Sequence, residues 1–213
     1  MMEIKEFLDR HIDGYLIHDL QRMSEIKEFE NGYGACGYPM LMSILSGVEL
    51  IGILNHPTEI NAELFRSNSR IFFENGWVVL FGKNAKYSEE STRKIFRDLI
   101  RNGLAHMYLS KPNVGVTKSH PEAHLQSENG IFFVHPTEFF NDFIKAYGEI
   151  KPDMLKSQEC QNRLNEILYL MTLESVELLG GKKIDLTKPV YATGIPLSAT
   201  SAMSMDSSIL FKK

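Results

Sequence analysis

The chain has 213 residues, a formal net charge of −4, 43% apolar residues and 23% charged residues. That composition is ordinary for a globular protein and leaves enough chain for one sizeable core. The acidic balance argues against gripping nucleic acid through bulk electrostatics, while leaving room for a local basic patch. The two cysteines, Cys36 and Cys160, are far apart and in no metal-ligand spacing. Together with an N-terminus lacking the apolar run of a signal peptide, this leads us to expect reduced thiols in a cytoplasmic protein.

Residues 2–30 place Ile4, Phe7, Leu8, Ile12, Tyr15, Leu16, Leu20, Met23 and Ile26 at steps of three and four. This predicts an amphipathic helix with an interruption at Gly14. His11 and His18 share one of its faces, as boundary or surface histidines. Residues 31–37 are dense in glycine and predict a loop. Pro39 suits the first turn of the next helix, Tyr38 to Leu54. That helix is apolar nearly all round, so it belongs at the centre or at an interface. Its most hydrophobic stretch, Met40 to Leu54, is too short for a membrane span and carries Glu49, and no membrane segment is expected. A carboxylate in such a helix requires a partner. We expect a structural ion pair with Arg101 or another base; the alternative is a place beside a site.

Residues 60–82 are rich in Ile, Leu, Phe and Trp and predict a core helix. Asn75-Gly76 also offers a hairpin turn between Ile71–Phe73 and Trp77–Phe81. From Ser88 to Lys111 the apolar positions Ile95, Phe96, Leu99, Ile100, Gly103, Leu104 and Met107 again fall at helical spacing. Ser88, Glu89 and Glu90 suit the start of this helix, and Lys111-Pro112 closes it.

Beyond Pro112 the texture turns to β. Val114–Thr117, Ala123–Ser127 and Ile131–His135 read as short strands, the last two joined at Asn129-Gly130. They predict a small antiparallel hairpin or a three-stranded flap over about residues 113–135. His120 and His124 fall in a turn without the His-Glu-x-x-His zinc pattern, and we assign no metal or cofactor. Helices follow from Pro136 to Tyr147 and from about Pro152 to Leu179, ended by Gly180-Gly181. Residues 1–181 thus form one mainly α domain, and residues 182–213 an irregular tail. There is no Gly-x4-Gly-Lys, Gly-x-Gly-x-x-Gly or Gly-x-Ser-x-Gly pattern.

One string suggests chemistry: Arg101-Asn102-Gly103-Leu104-Ala105-His106. An arginine fork matches phosphate oxygens, and a histidine titrates near neutrality. On a regular helix Arg101 and His106 diverge by roughly 140° and stand about 7.5 Å apart along the axis. They meet one phosphate through the arginine's reach, through a distortion near Gly103, or through a second copy of the helix. Otherwise Arg101 pairs with Asp98 or another acid and the pair is structural.

The string resembles the Arg-x4-6-His signature of the HEPN superfamily, including the polar residue after the arginine. The likeness is sharp over about a dozen residues, and general beyond them. It implies a HEPN-like helical bundle that dimerises, with the motif at the dimer interface. It implies a metal-independent endoribonuclease, a toxin or defence factor with RNA or a nucleotide as ligand and a cognate antitoxin as partner. Arg101 would stabilise the scissile phosphate, His106 would act as general acid or base, and Asn102 would orient them. Glu49, Tyr108 and Lys111 are candidate supporting residues. The competing expectation is a non-catalytic binding, sensing or structural module.

Overall fold

The computed structural model describes residues 2–28, 34–107 and 110–178. The expected C-terminal tail, its preceding Gly180-Gly181 and Tyr108 lie outside these residues. Helix α1 runs unbroken through Ile4–Phe7, Leu8–Ile17 and His18–Glu25. Its middle stretch is wound with the wider i→i+5 pattern and contains Gly14. Thus Gly14 marks a change of winding rather than a break. His11 is wedged between the rings of Phe7 and Tyr15, and His18 is exposed.

Helix α2 (Gly37–Leu54) is the centre of the molecule, with Met40, Leu41, Ile44, Val48, Ile51 and Leu54 wholly buried. At 18 residues it is longer than the Met40–Leu54 stretch that the sequence alone marks as too short, and among the described residues it alone is long and apolar enough to cross a membrane. Its packing against α1, α4 (Ser69–Phe81), α6 (Pro136–Met154) and α7 (Gln158–Leu178) accounts for that apolarity inside the fold. Between α2 and α4 lies the short α3 (Ala62–Ser67), capped by Asn61. Residues 60–82 are therefore helical with one break, and no hairpin forms at Asn75-Gly76.

Helix α5 comprises Glu90–Lys94, a second widened stretch Ile95–Arg101, and Asn102–Met107. Phe96, Ile100 and Leu104 bury its apolar side. An aromatic cluster anchors it: Phe96 and Phe139 lie 4.6 Å apart, and both pack on Trp77, whose indole donates to the carbonyl of Tyr87 at 3.1 Å. Ser88 does not cap this helix. Its hydroxyl donates to Ala85 O, and Glu89 takes the capping position without a side-chain bond.

The strands β1 (Val114–Val116), β2 (Ser127–Glu128) and β3 (Ile131–Val134) form one sheet in the order β1-β3-β2. The hairpin β2–β3 is antiparallel and turns on Asn129 and Gly130, both at positive φ, as an Asn-Gly turn requires. The sheet is the three-stranded form of the expected flap with an antiparallel hairpin, and its third strand, β1, joins β3 in parallel. The segment between β1 and β2 carries the chain back, through a single 3₁₀ turn at Pro121–Ala123, so that β1 and β3 start from the same end. That excursion also shortens the expected strand at Ala123–Ser127. Helix α6 continues past the expected stop at Tyr147 and includes Pro152. Gly148, whose carbonyl Pro152 leaves without an amide partner, is exposed, so water can satisfy it.

Candidate functional site

The geometry of the motif begins with two helices crossing at glycine. Gly52 of α2 faces Gly76 of α4, and a Cβ at Gly52 would stand 2.6 Å from the Gly76 amide. This close approach brings the first turn of α4, with Ser69 and Arg70, to the same cleft as Glu49 of α2. Helix α5 closes the third side. The cleft holds about 580 Å³ and is lined by Glu49, Ser69, Arg70, Arg97, Asp98, Arg101, Asn102, Gly103 and Lys111.

Two arginines one turn apart on α5 staple it to its neighbours. Arg97 is buried. It grips Asp98 through Nε–Oδ1 and Nη2–Oδ2, both 2.7 Å, and its Nη1 reaches Glu74 on α4. Arg93 adds a 2.7 Å contact to the other oxygen of Glu74. The Arg97 guanidinium holds the Asp98 carboxyl below the usual carboxylate range, and Asp98 in turn raises Arg97.

Arg101 reaches the other way, to α2. Its Nε donates to Glu49 Oε1 at 2.5 Å and its Nη2 to Oε2 at 3.1 Å, while Nη1 donates to Asn102 Oδ1 at 3.1 Å. The pair is partly sheltered, with side-chain exposures of 24% for Arg101 and 19% for Glu49. Glu49 therefore faces the motif, and Arg101 pairs with it rather than with Asp98. All three guanidinium nitrogens are engaged.

Arg70 and Lys111 differ from these arginines. Both are exposed at the rim, and neither makes an ion pair among the described residues. Both lie near enough to Asp98 to help hold it ionised. The cleft thus sets four cations against two carboxylates, in a chain whose net charge is −4. Lys111 is kept in place by its backbone amide, which donates to Leu99 O at 3.0 Å.

Of the residues singled out in the sequence, Glu49, Arg101, Asn102 and Lys111 share this cleft. His106 belongs to the last turns of α5, and its side chain lies outside what the structure describes. Tyr108 is outside the described residues. Sequence reasoning missed Arg97 and Arg70. Arg97 carried a usable signal, since it precedes Arg101 by four on the same helix; Arg70 carried none, because only the tertiary crossing brings it in.

A second cleft, of about 380 Å³, lies beside the flap and includes Lys86, Glu89, Thr92, His124 and Glu138 in its lining. Next to it runs a hydrogen-bonded chain. The amide of His135 donates to His124 Nδ1 at 3.1 Å, so the ring's proton sits on Nε2. That Nε2 donates to the Tyr87 hydroxyl at 2.8 Å, and the hydroxyl donates to Asp142 Oδ2 at 2.9 Å. His124, in the turn expected from the sequence, is thus a structural link that ties this segment to Tyr87 and His135. Among the described residues no three His, Cys, Asp or Glu side chains come together to hold a metal ion. In comparisons with known proteins, no family model, no curated protein and no solved structure matches this chain.

Proposed function

We propose that this chain is a HEPN-like protein that binds the phosphates of RNA or a nucleotide in the cleft between α2, α4 and α5. The observation that carries this reading is the collection of Arg70, Arg97, Arg101 and Lys111 in one cleft of an otherwise acidic chain, with Arg70 and Lys111 exposed at its rim. Phosphate is recognised by such groups: charge-assisted N–H donors on a concave surface. Asn102 adds a neutral amide at the same wall. On this reading two copies of the chain associate with their motif helices facing, and each contributes one cleft. Metal-independent cleavage is the reaction assigned to Arg101 and His106, with Arg101 neutralising the developing charge at phosphorus and His106 moving the proton.

The test is binding of a fluorescein-labelled single-stranded RNA across a salt series. The expected result is salt-dependent binding that Arg70→Ala combined with Lys111→Ala weakens about ten-fold or more at low salt. Removing two phosphate contacts lowers the slope of log K against log salt by about 1.4. The same samples, held in EDTA, report cleavage, which Arg101→Ala and His106→Ala are each expected to abolish. If neither a panel of RNAs nor nucleotides bind, and the two rim substitutions change nothing, this reading is wrong.

A further inference from the structure

The side edge of a guanidinium, formed by Nε and one Nη, is an edge that grips a carboxylate or a phosphate with two parallel bonds. In this structure that edge of Arg101 is occupied by Glu49. The third nitrogen is held by Asn102. Arg101 and Glu49 both line the cleft and both keep a fraction of their surface open to it, so the pair stands at the wall and not behind it. Arg97 is different: its Asp98 and Glu74 partners hold it in a buried place.

Resting on the phosphate-binding reading above, we propose that Glu49 is a resident stand-in for phosphate. A ligand must displace its carboxylate from Arg101, and the cleft therefore binds phosphate monoester ends more tightly than internal phosphodiesters in the ground state. The phosphorane formed during cleavage, like a monoester, carries close to two charges and displaces Glu49 in the same way. The reasoning is one of charge. A diester carries one negative charge, as Glu49 does, so exchanging one for the other gains no Coulomb energy and leaves a displaced carboxylate beside a second anion. A monoester carries close to two charges at neutral pH. It gains an additional attraction to Arg101, Arg70 and Lys111 that the diester lacks. The chemical class of ligand is then a nucleotide or an RNA with a terminal phosphate.

The experiment uses the full chain and two labelled RNAs of one sequence, one with a 5′-phosphate and one with a 5′-hydroxyl, read by fluorescence anisotropy. Wild type is expected to bind the 5′-phosphorylated RNA about five-fold more tightly or better, the weight of one extra charge at close range in a water-rich site. Glu49→Gln is expected to bind both RNAs more tightly than wild type and to discriminate less between them. In an Arg101→Ala background the same Glu49→Gln change is expected to give no gain, because there is no longer an edge to release. Asp98→Asn removes a charge from the same cleft without touching Arg101, and is expected to give a clearly smaller gain. Thermal melting of each variant identifies any that fail to fold, and Glu49→Ala then serves in place of Glu49→Gln.

Equal or weaker binding by Glu49→Gln, with wild type binding and the rim substitutions weakening it, overturns the stand-in and leaves the cleft as a phosphate site. Equal gains from Glu49→Gln and Asp98→Asn also overturn it, since general charge then explains the effect. Absence of binding by every variant removes both the stand-in and the phosphate-binding reading.

Discussion

Gly52 on α2 and Gly76 on α4 meet backbone to backbone. A Cβ at Gly52 would press into the carbonyl of Phe72, and one at Gly76 into the carbonyl of Val48. Asn75 completes the contact by donating its side-chain amide to Gly52 O at 2.8 Å. No flexible side chain is available to move aside, so a methyl group at either position has to push the two helices apart. Gly76→Ala is expected to cost about 3 kcal/mol or more, at the upper end of overpacking penalties. Gly148 of α6 is the internal control. Nothing lies within 4 Å of a Cβ there, and it sits inside a helix. Gly148→Ala is expected to stabilise by about 0.5–1 kcal/mol. Urea unfolding of the two variants measures both. A tolerated Gly76→Ala would show that the crossing has room for a methyl group and does not fix the shape of the cleft.

His124 links stability to pH. Burial holds its pKa down, from an ordinary 6.5 to about 4, with Lys86 and His135 adding to the depression and Asp142 opposing it. The amide of His135 needs an unprotonated Nδ1, and the Tyr87 hydroxyl takes the one ring proton. Between pH 6.5 and 4 the unfolded chain binds a proton on this residue that the folded chain refuses. The contribution is therefore complete above about pH 6.5 and is lost as pH falls toward 4. At about 1.4 kcal/mol for each unit, the whole loss is on the order of 3 kcal/mol. His124→Gln is expected to be less stable at pH 7 and to flatten the pH dependence through this window. A variant that keeps the wild-type slope from pH 7 to 4 would assign the link to another group.

Lys118 joins the flap to the end of α1. Its ammonium lies 2.9 Å from Met23 O, 3.0 Å from Ser24 O, 2.5 Å from Ile26 O and 3.2 Å from Ala35 O. Its own amide donates to Glu28 Oε1 at 2.7 Å, and its carbonyl accepts from His135 Nε2 at 2.9 Å. Burial pushes the Lys118 pKa down, although Glu28 and Cys36 favour the charged form. Lys118→Met keeps the stem and removes the donors. The expected loss is about 1–3 kcal/mol, the cost of leaving partly buried carbonyls without their partner. Amide exchange of residues 23–26, followed by mass spectrometry, should accelerate in the variant while α2 stays protected. Unchanged exchange there would mean that the carbonyls are satisfied by water at little cost.

Local pattern carried much of the fold into view. The apolar spacing of Phe96, Ile100 and Leu104 marked the buried side of α5, and Asn129-Gly130 marked the turn of the β2–β3 hairpin because few other dipeptides accept positive φ twice. Glu49 was legible as well: a lone carboxylate in an apolar helix has to find a base, and Arg101 was the nearest candidate in chemistry if not in sequence. What stayed hidden depends on distant parts of the chain. The parallel partnering of β1 with β3 is decided by the path the chain takes between β1 and β2, and the strand pattern read at Ala123–Ser127 says nothing of that direction. The widened winding over Ile95–Arg101 leaves no mark on the apolar spacing, yet such stretches are frequent near functional sites. Arg70 enters the cleft only because two glycines let α4 lie close on α2.

The Glu49–Arg101 pair also has a weight in stability that separates it from the surface pairs. Glu90 and Lys94 are 65% and 55% exposed, and pairs of that kind contribute little because water and salt screen them. Glu49 and Arg101 are much more sheltered, so removing one partner leaves a partly desolvated charge without its counter-ion. Arg101→Ala alone strands Glu49 in an apolar helix, and Glu49→Ala alone strands Arg101 at the cleft wall. Each is expected to cost about 1–3 kcal/mol. The double variant strands neither, and is expected to cost less than the sum of the two by about 1 kcal/mol or more. Glu90→Ala with Lys94→Ala, measured in the same urea series, is expected to be close to additive, with a coupling far smaller than that of Glu49 and Arg101. Strict additivity at Glu49 and Arg101 would mean that the two groups do not hold each other in solution, and the cleft wall would then present a free arginine from the start.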